Sequence, residues 1–154
     1  MKTVNTINLI TMDDKKRILL VKRANNQQES GLWSLPGGTK RENETLEQCL
    51  MREIKEELSC LVVKYSFLKS YKIKNDSKTV IANYYIGLIK GYIKLNKQEL
   101  SGYQWFAKEN LPNKLAYDQN KVLADFILNR LPSSKIFTSR KISRKNPKLK
   151  NCSI

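Results

Sequence analysis

Histidine is absent from this chain of 154 residues. Its absence excludes every catalytic triad, proton shuttle or metal site that depends on an imidazole. The three cysteines, Cys49, Cys60 and Cys152, form no C-x-x-C pair. Because no secretory signal is recognisable either, they indicate reduced thiols in a cytoplasmic protein rather than disulfides or a zinc site. No apolar run approaches the roughly 20 residues that a membrane span requires.

Acidic residues are scarce and unevenly placed. Asp and Glu number 14 against 29 Lys and Arg, which gives a net charge of +15, and residues 133–154 contain seven basic residues and no acid. Six of the acids nevertheless fall within residues 42–57. Such a cluster in a basic protein is either a solvated helix face with Glu–Lys pairs or a site at which a cation neutralises the acids. The spacing of the acids decides between these interpretations.

The length and the apolar content of 40% favour one domain, which we expect at residues 1–132, followed by a basic and disordered tail at 133–154. Six strands are predicted, interrupted at Pro36-Gly37-Gly38, which no regular element tolerates in its interior. Helical periodicity indicates two helices, the second capped by Asp118. This order predicts an α/β or α+β layered domain. The predicted strands are 4–10, 17–23, 61–72, 78–88, 91–95 and 103–106, and the predicted helices are 45–58 and 119–130.

The acidic cluster contains three glutamates that share one side of the first helix. Glu53, Glu56 and Glu57 stand at i, i+3 and i+4, so they form a single arc and would raise one another's pKa values if left bare. Mg²⁺ takes carboxylate oxygens together with water and substrate phosphates. Upstream, Gly37 and Gly38 would let backbone atoms approach the same metal or a phosphate, and the guanidinium of Arg52 can hold a carboxylate.

These residues lie within a longer pattern. Gly38 is followed after five residues by Glu44, and after seven more by Arg52-Glu53-Ile54-Lys55-Glu56-Glu57. The pattern closely resembles the Nudix box, G-x5-E-x7-R-E-U-x-E-E-x-G-U, over Gly38 to Cys60. The resemblance continues through the flanking segments 33–37 and 104–112. Ser59 replaces the preferred glycine and Cys60 the preferred aliphatic residue, both beyond the helix.

The resemblance implies a Nudix-type α/β/α sandwich with a mixed sheet, in which the box forms a loop–helix–loop. It also implies hydrolysis, dependent on Mg²⁺ or Mn²⁺, of a nucleoside diphosphate linked to another moiety. A MutT-like NTP or dNTP pyrophosphohydrolase that yields NMP and pyrophosphate is the leading expectation. The alternatives are an ADP-ribose or nucleotide-sugar pyrophosphatase, an RNA 5′-pyrophosphohydrolase, and a non-catalytic nucleotide-binding module.

The resemblance also implies roles for individual residues. The metal ligands would be Glu53, Glu56 and Glu57, assisted by the carbonyl of Gly37 or Gly38. Glu44 and Arg52 would orient and balance this cluster. The general base would be Glu53 or the loop residue Glu99, which is otherwise an ordinary loop acid beside Lys97.

Several residues are candidates for binding the substrate. MutT-like proteins use an arginine at the end of the second strand, where this chain has Lys22 and Arg23. Trp33 could stack on a base or pack beneath the sheet edge. Segment 117–120 lines the base pocket or, through Asp118, caps the last helix.

The expected partner is a small-molecule nucleotide, and the chain would act as a monomer or homodimer. The basic tail offers two further interpretations. Seven unopposed cations attract nucleic acid or an anionic surface without sequence preference, although such a terminus is more often a solubilising extension.

Overall fold

The computed structural model describes residues 1–74 and 76–128, which form two sheets and two α-helices. The larger sheet has the strand order β4-β1-β6-β5. In it β1 is parallel to β6, whereas the β1–β4 and β5–β6 pairs are antiparallel, so the sheet is mixed. Its strands are β1 (Lys2–Thr11), β4 (Gly37–Thr39), β5 (Leu61–Lys74) and β6 (Lys78–Lys90).

The smaller sheet is antiparallel and has the strand order β3-β2-β7. Its strands are β2 (Ile18–Arg23), β3 (Trp33–Ser34) and β7 (Leu100–Phe106). A polar turn joins β2 to β1, as the sequence predicts, and within it the Asp13 carboxylate accepts hydrogen bonds from the backbone N–H groups of Lys15 and Arg17. Short 3₁₀ helices lie at Lys108–Asn110 and Ala116–Asp118.

Helix α1 (Leu46–Leu58) begins where the sequence places a good cap. The hydroxyl of Thr45 accepts a hydrogen bond from the backbone N–H of Gln48, whose side-chain amide oxygen accepts one from the Thr45 N–H. This reciprocal pair satisfies two N–H groups that the first turn leaves free. The helix ends at Ser59, which adopts the left-handed conformation with φ 57° and ψ 23°.

Ser59 occupies a backbone conformation that glycine adopts without steric cost. Replacing Ser59 by glycine is therefore expected to raise the free energy of unfolding by about 0.5–1 kcal/mol, although the hydrogen bond from its hydroxyl to the Lys94 carbonyl is lost. Ser59→Ala loses the same hydrogen bond but keeps a Cβ, so it should destabilise the protein. Urea denaturation of both variants measures the difference, and a glycine variant less stable than the alanine variant would refute this account.

Strands β1 and β2 contribute to two separate hydrophobic cores. Successive side chains of a strand point to opposite faces of its sheet. Leu9 and Leu19 therefore join the core beneath α1, whereas Ile10 and Leu20 join the core beneath α2 (Asn120–Ile127). The resulting arrangement, a mixed sheet and its companion between two helices, confirms the predicted fold class.

The structure corrects three predictions. Residues 91–95 form no strand; they run as a loop whose Lys94 N–H donates to the carbonyl of Leu58. Gly37 and Gly38 do lie inside a regular element, the short strand β4, because β1 supplies its partners Asn8 and Ile7. Finally, Asp118 does not cap α2, which has Gln119 at its N-cap position and no side-chain cap hydrogen bond.

The end of the chain lies outside the described residues. This holds for the predicted helix end at Arg130, for the domain boundary at residue 132 and for the basic tail 133–154. Among residues 1–74 and 76–128, no helix is long and apolar enough to cross a membrane.

Candidate active site

Two glutamates of α1 face inward toward the glycine strand. Glu53 and Glu57 are one helical turn apart and are only 8% and 4% exposed. The backbone N–H of Gly37 donates a hydrogen bond to Oε2 of Glu57 at 3.0 Å. Helix α1 thus presents two carboxylates against a backbone that carries no side chains.

Both glycines of β4 are required because other atoms approach their Cα atoms closely, but the neighbouring residues differ between the two glycines. A Cβ on Gly38 would lie 2.3 Å from Cδ of Glu53, and a Cβ on Gly37 would lie 2.1 Å from the Ile7 carbonyl oxygen. Gly37 also has a φ of +152°, which L side chains rarely adopt. A side chain at Gly38 would therefore displace the Glu53 carboxylate, whereas one at Gly37 would force the β1–β4 pair apart.

Alanine substitutions at Gly38 and Gly37 should separate the effect on the Glu53 carboxylate from the effect on the pairing of β1 with β4. Gly38→Ala is expected to lower hydrolysis at least about tenfold while shifting Tm by only a few degrees, because the displaced atoms end a flexible side chain. Gly37→Ala is expected to lower Tm by roughly 5 °C or more, because the clash is with backbone. Gly102→Ala is the control, since its Cβ would meet nothing closer than 3.9 Å. Equal effects of the first two substitutions on Tm would contradict this assignment.

Arg52 holds three of the acids together. Its Nε and Nη2 donate to the two carboxylate oxygens of Glu44 at 3.0 and 2.6 Å, and its Nη1 donates to Glu53 at 2.7 Å and to Glu56 at 3.0 Å. The hydrogen bond from Arg52 lowers the pKa of Glu44 to about 2. The same contacts raise the pKa of Arg52 itself. The planar guanidinium thus fixes the orientation of Glu53.

Glu56 is the most exposed of the three predicted ligands. Its side chain is 41% exposed and forms ion pairs with Arg52 and, through its other oxygen, with Arg41 at 3.2 Å. Glu56 therefore lies on the outer side of the helix relative to Glu53 and Glu57. As the sequence predicts, the three glutamates lie on one side of the helix. Their carboxylates nevertheless separate, because those of Glu53 and Glu57 face the cleft and that of Glu56 lies at the surface.

The loop between β6 and β7 brings Glu99 to the same place. The N–H groups of Lys94 and Asn96 donate to the carbonyls of Leu58 and Glu57 at the end of α1. The side-chain amide of Asn96 then donates to Oε1 of Glu99 at 3.2 Å. Because the loop is fastened to the helix that carries the acids, Glu99 is positioned beside them even though it is distant in sequence.

Burial controls the protonation of the inward-facing acids. Desolvation raises the pKa of Glu57 to about 8, against the opposing effect of the Gly37 hydrogen bond, and it raises the pKa of Glu53. The charge of Glu99 raises both pKa values further. Paired buried acids with raised pKa values are stabilised in their charged form by a nearby cation.

The oxygen atoms at this site suit a hard divalent cation, although the carboxylates are not arranged around one common position. Carboxylate oxygens from Glu53 and Glu57, beside carbonyls of a glycine strand, are the ligands that Mg²⁺ and Mn²⁺ prefer. Within the described residues, no group of three acidic or thiol side chains is arranged to hold a metal ion. Glu56 would have to leave Arg41 to join the other two carboxylates.

A cleft of about 590 Å³ extends from the acids across the open face of the larger sheet. Glu53, Glu57 and Glu99 line it together with Arg23 and Tyr117. Arg23 lies 5.1 Å from the centre of the Tyr117 ring, and its Nε donates to the carbonyl of Gln28. Residues of β1 and β6 on the sheet face that carries the core beneath α2 complete the lining, namely Val4, Thr6, Asn8, Val80, Ala82 and Tyr84.

The sequence interpretation missed one buried pair in this cleft. The side-chain amide of Gln119, which is 2% exposed, donates to Oδ1 of Asn8 at 2.9 Å and accepts a hydrogen bond from the N–H of Leu35 at 2.7 Å. The available signal was the polar Asn8 between the apolar residues Ile7 and Leu9. Tyr117 and Asp118, both with positive φ, precede Gln119 and also line the cleft.

Two predicted substrate residues lie elsewhere. Neither Lys22 nor Trp33 is among the residues that line this cleft. Trp33 packs edge-on against Phe106 with ring centres 5.0 Å apart, and the Lys22 ammonium lies 5.8 Å from the Trp33 ring. The structure thus brings together Arg23, Gly37, Gly38, Glu53, Glu57 and Glu99, and it places Lys22 and Trp33 outside this cleft.

An acidic helix set against a glycine strand, within a mixed-sheet α+β fold, is an arrangement that suits a metal-bound diphosphate. The sequence profile described as the NUDIX domain matches residues 1–126, and the chain therefore belongs to the Nudix hydrolase family. This confirms the resemblance found in the sequence. The chain is accordingly a Nudix pyrophosphohydrolase.

Individual relatives agree with this assignment. An ADP-ribose pyrophosphatase from Methanocaldococcus jannaschii is 35% identical over 122 residues, which cover 77% of this chain and 69% of that protein. A crystal structure of a MutT NUDIX hydrolase from Burkholderia pseudomallei has a TM-score of 0.72 and 26% identity, covering 80% of this chain and 98% of that one. The NAD-capped RNA hydrolase NudC from Vibrio vulnificus is 29% identical, and the match covers 68% of this chain but 39% of that protein.

Proposed function

We propose that this chain hydrolyses a nucleoside diphosphate linked to another moiety, with a nucleoside or deoxynucleoside triphosphate as substrate and NMP and pyrophosphate as products. One observation carries this proposal: a single cleft joins the buried acids Glu53 and Glu57 to a region lined by Tyr117 and Asp118. The acids suit a metal-bound diphosphate, and the aromatic and polar side chains suit a base. The matching MutT NUDIX hydrolase structure is covered over 98% of its length, which supports a MutT-like enzyme.

In this proposal Glu53, Glu56 and Glu57 hold Mg²⁺ or Mn²⁺, with the carbonyl of Gly37 or Gly38 as a further ligand. The metal, when bound, neutralises the phosphoryl oxygens and acidifies a water molecule. Arg52 keeps the Glu53 carboxylate aimed at the cleft and, with Glu44, balances the charge of the acidic cluster. Arg23 supplies a cation to the cleft, which Lys78 also lines, and these charges offset that of the substrate.

Glu99 is proposed as the general base. One carboxylate oxygen of Glu53 accepts the hydrogen bond from the guanidinium of Arg52 at 2.7 Å, and in this proposal the metal occupies the same carboxylate, so Glu53 is committed to other partners. Glu99 is held by the neutral amide of Asn96 instead, and it lines the cleft beside both buried acids. It can therefore take a proton from a water that attacks a phosphate bound between them.

ADP-ribose is the second candidate substrate, and the archaeal relative supports it. That relative is an ADP-ribose pyrophosphatase with 35% identity over 77% of this chain. The acidic end of the cleft contacts only the diphosphate, so it serves either substrate equally. The choice depends on the residues that line the rest of the cleft.

A panel of substrates tests the proposal. NTPs, dNTPs, ADP-ribose, nucleotide sugars and 5′-triphosphorylated RNA are each incubated with Mg²⁺ or Mn²⁺, and the phosphorus products are identified by NMR. Release of pyrophosphate and NMP supports the triphosphate assignment, whereas AMP and ribose phosphate from ADP-ribose support the second candidate. Failure to hydrolyse any compound with either metal would refute the proposed function.

A further inference from the structure

The three long strands of the larger sheet carry positive charge only. Strands β1, β5 and β6 contain seven lysines and no aspartate or glutamate. Four of the lysines lie on β5, and these four side chains are exposed. The lysines are Lys2, Lys64, Lys69, Lys72, Lys74, Lys78 and Lys90.

This charge is separated from the acidic charge of the molecule. Helix α1 has four glutamates against one arginine and one lysine, a net charge of −2. The buried glutamates of α1 lie beside β4 at one edge of the sheet, and four of the seven lysines lie on β5 at the other edge, whereas Lys78 of β6 lines the cleft. The separation lies within the folded residues and does not depend on the basic tail.

Exposed aromatic side chains accompany these lysines. Tyr65 and Phe67 are 38% and 49% exposed. In the antiparallel register Phe67 pairs with Tyr85, Lys72 with Ile81 and Lys74 with Thr79. Directly paired residues share a face, and alternate residues of β6 point the same way. Tyr65, Phe67, Lys72 and Lys74 therefore follow one another along one face, which we call the β5 face.

The β5 face lies on an edge strand. Among the described residues β5 pairs only with β6. Lysines on an edge strand oppose pairing with a second copy, because four lysines would meet four lysines. That role does not involve the rings of Tyr65 and Phe67, which pack edge-on against Tyr85 and still expose 38% and 49% of their surface beside the lysines.

We propose that the β5 face binds single-stranded polynucleotide. The phosphates of the polynucleotide complement the lysines of β5, which carries no acid, and the unpaired bases of the polynucleotide stack on the exposed aromatic rings. This is an interaction surface additional to the cleft, and it does not depend on which nucleotide the cleft hydrolyses. A duplex lacks exposed base faces, so it would use the lysines alone.

Fluorescence anisotropy with the full chain tests the proposal. The probe is a labelled RNA or DNA strand of about 12 nucleotides with a 5′-hydroxyl, in EDTA, so that no hydrolysis is required. Lys72→Gln/Lys74→Gln is expected to weaken binding at least about fivefold and to reduce the slope of log K against log salt by roughly 1.4. Comparison of the RNA and DNA affinities identifies the preferred polynucleotide.

The matched control is Lys15→Gln/Lys114→Gln, which removes the same charge from two other exposed lysines. It should weaken binding less than about twofold, and all three proteins keep the tail. Equal weakening by both double variants would overturn the proposal, since only net charge would then matter. Binding of phosphatidylserine vesicles without binding of the strand would also overturn it.

A second pair of variants tests the aromatic contribution. Tyr65→Ala is expected to weaken binding of the strand at least about fivefold, whereas Tyr65→Phe retains the ring and should restore it. Thermal denaturation checks that both variants are folded, because Tyr65 also contacts the Tyr85 ring at 6.1 Å. Equal affinity of the alanine and phenylalanine variants, when both are folded, would show that no base stacks there.

Discussion

Replacing Glu57 by glutamine is expected to lower the rate of hydrolysis by roughly three orders of magnitude or more. The substitution keeps the size of the side chain and an oxygen that can accept the Gly37 hydrogen bond. It removes the negative charge that a divalent cation requires. Steady-state rates at saturating Mg²⁺ measure the loss of hydrolysis, and calorimetric titration of Mn²⁺ into the protein measures the loss of metal affinity.

The same substitution should stabilise the protein in EDTA. The pKa of Glu57 is raised from 4.5 to about 8, so between these values the folded protein holds a proton that the unfolded chain has released. The free energy of unfolding therefore falls as pH rises through this window, and the loss is complete above about pH 8. Glu57→Gln has no carboxyl group at this position, so its stability does not fall in this way. We therefore expect the free energy of unfolding of the variant, relative to that of the parent, to be higher by roughly 2–4 kcal/mol at about pH 9 than at about pH 5.

Glu47→Gln provides the control on the same helix. Glu47 is exposed and lies outside the cleft, where it accepts a hydrogen bond from the Tyr85 hydroxyl. Its substitution should leave both turnover and the pH dependence of stability nearly unchanged. Activity of Glu57→Gln within about tenfold of the parent would remove Glu57 from the metal site.

Replacing Glu99 by glutamine is expected to lower kcat by roughly two to four orders of magnitude, which is the usual contribution of a general base. The amide can still contact Asn96, so the loop between β6 and β7 should keep its attachment to α1. Metal affinity should change much less than kcat. Rates measured against pH, with Mn²⁺ titration in parallel, separate proton transfer from metal binding.

Glu109→Gln is the matched control for this substitution, because Glu109 is 67% exposed and lies in a 3₁₀ helix away from the cleft. A loss of less than about threefold in Glu99→Gln would exclude Glu99 from the mechanism. If kcat were kept and only Mn²⁺ affinity fell, Glu99 would be a metal ligand rather than the base.

Much of the acidic half of the site could be predicted from sequence, because local spacing determines it. The helical repeat that places Glu53 and Glu57 on one side of α1 is short-range, and so is the cap at Thr45. Gly38 was singled out for close approach, and the structure identifies its neighbour as Glu53. The i, i+3, i+4 spacing could not show that Glu56 would turn to Arg41, since Arg41 lies before the helix.

The other half of the cleft depends on contacts distant in sequence. Gln119 and Asn8 are 111 positions apart, and no periodicity links them. Residues 91–95 have the composition of a strand, but tertiary contacts hold them against the end of α1. Trp33 was a candidate for stacking on a base until the structure showed Phe106 as its neighbour.

The alternation of side chains along β1 also limits how this chain can vary in length. Ile7 and Leu9 belong to one core and Ile10 to the other. Inserting or deleting a single residue before Ile7 would leave the facing of Ile7, Leu9 and Ile10 intact, whereas an insertion between Leu9 and Ile10 would turn Ile10 from its own core toward the other one. Insertions and deletions should therefore be tolerated in the exposed loop at residues 25–31 and excluded from the middle of β1.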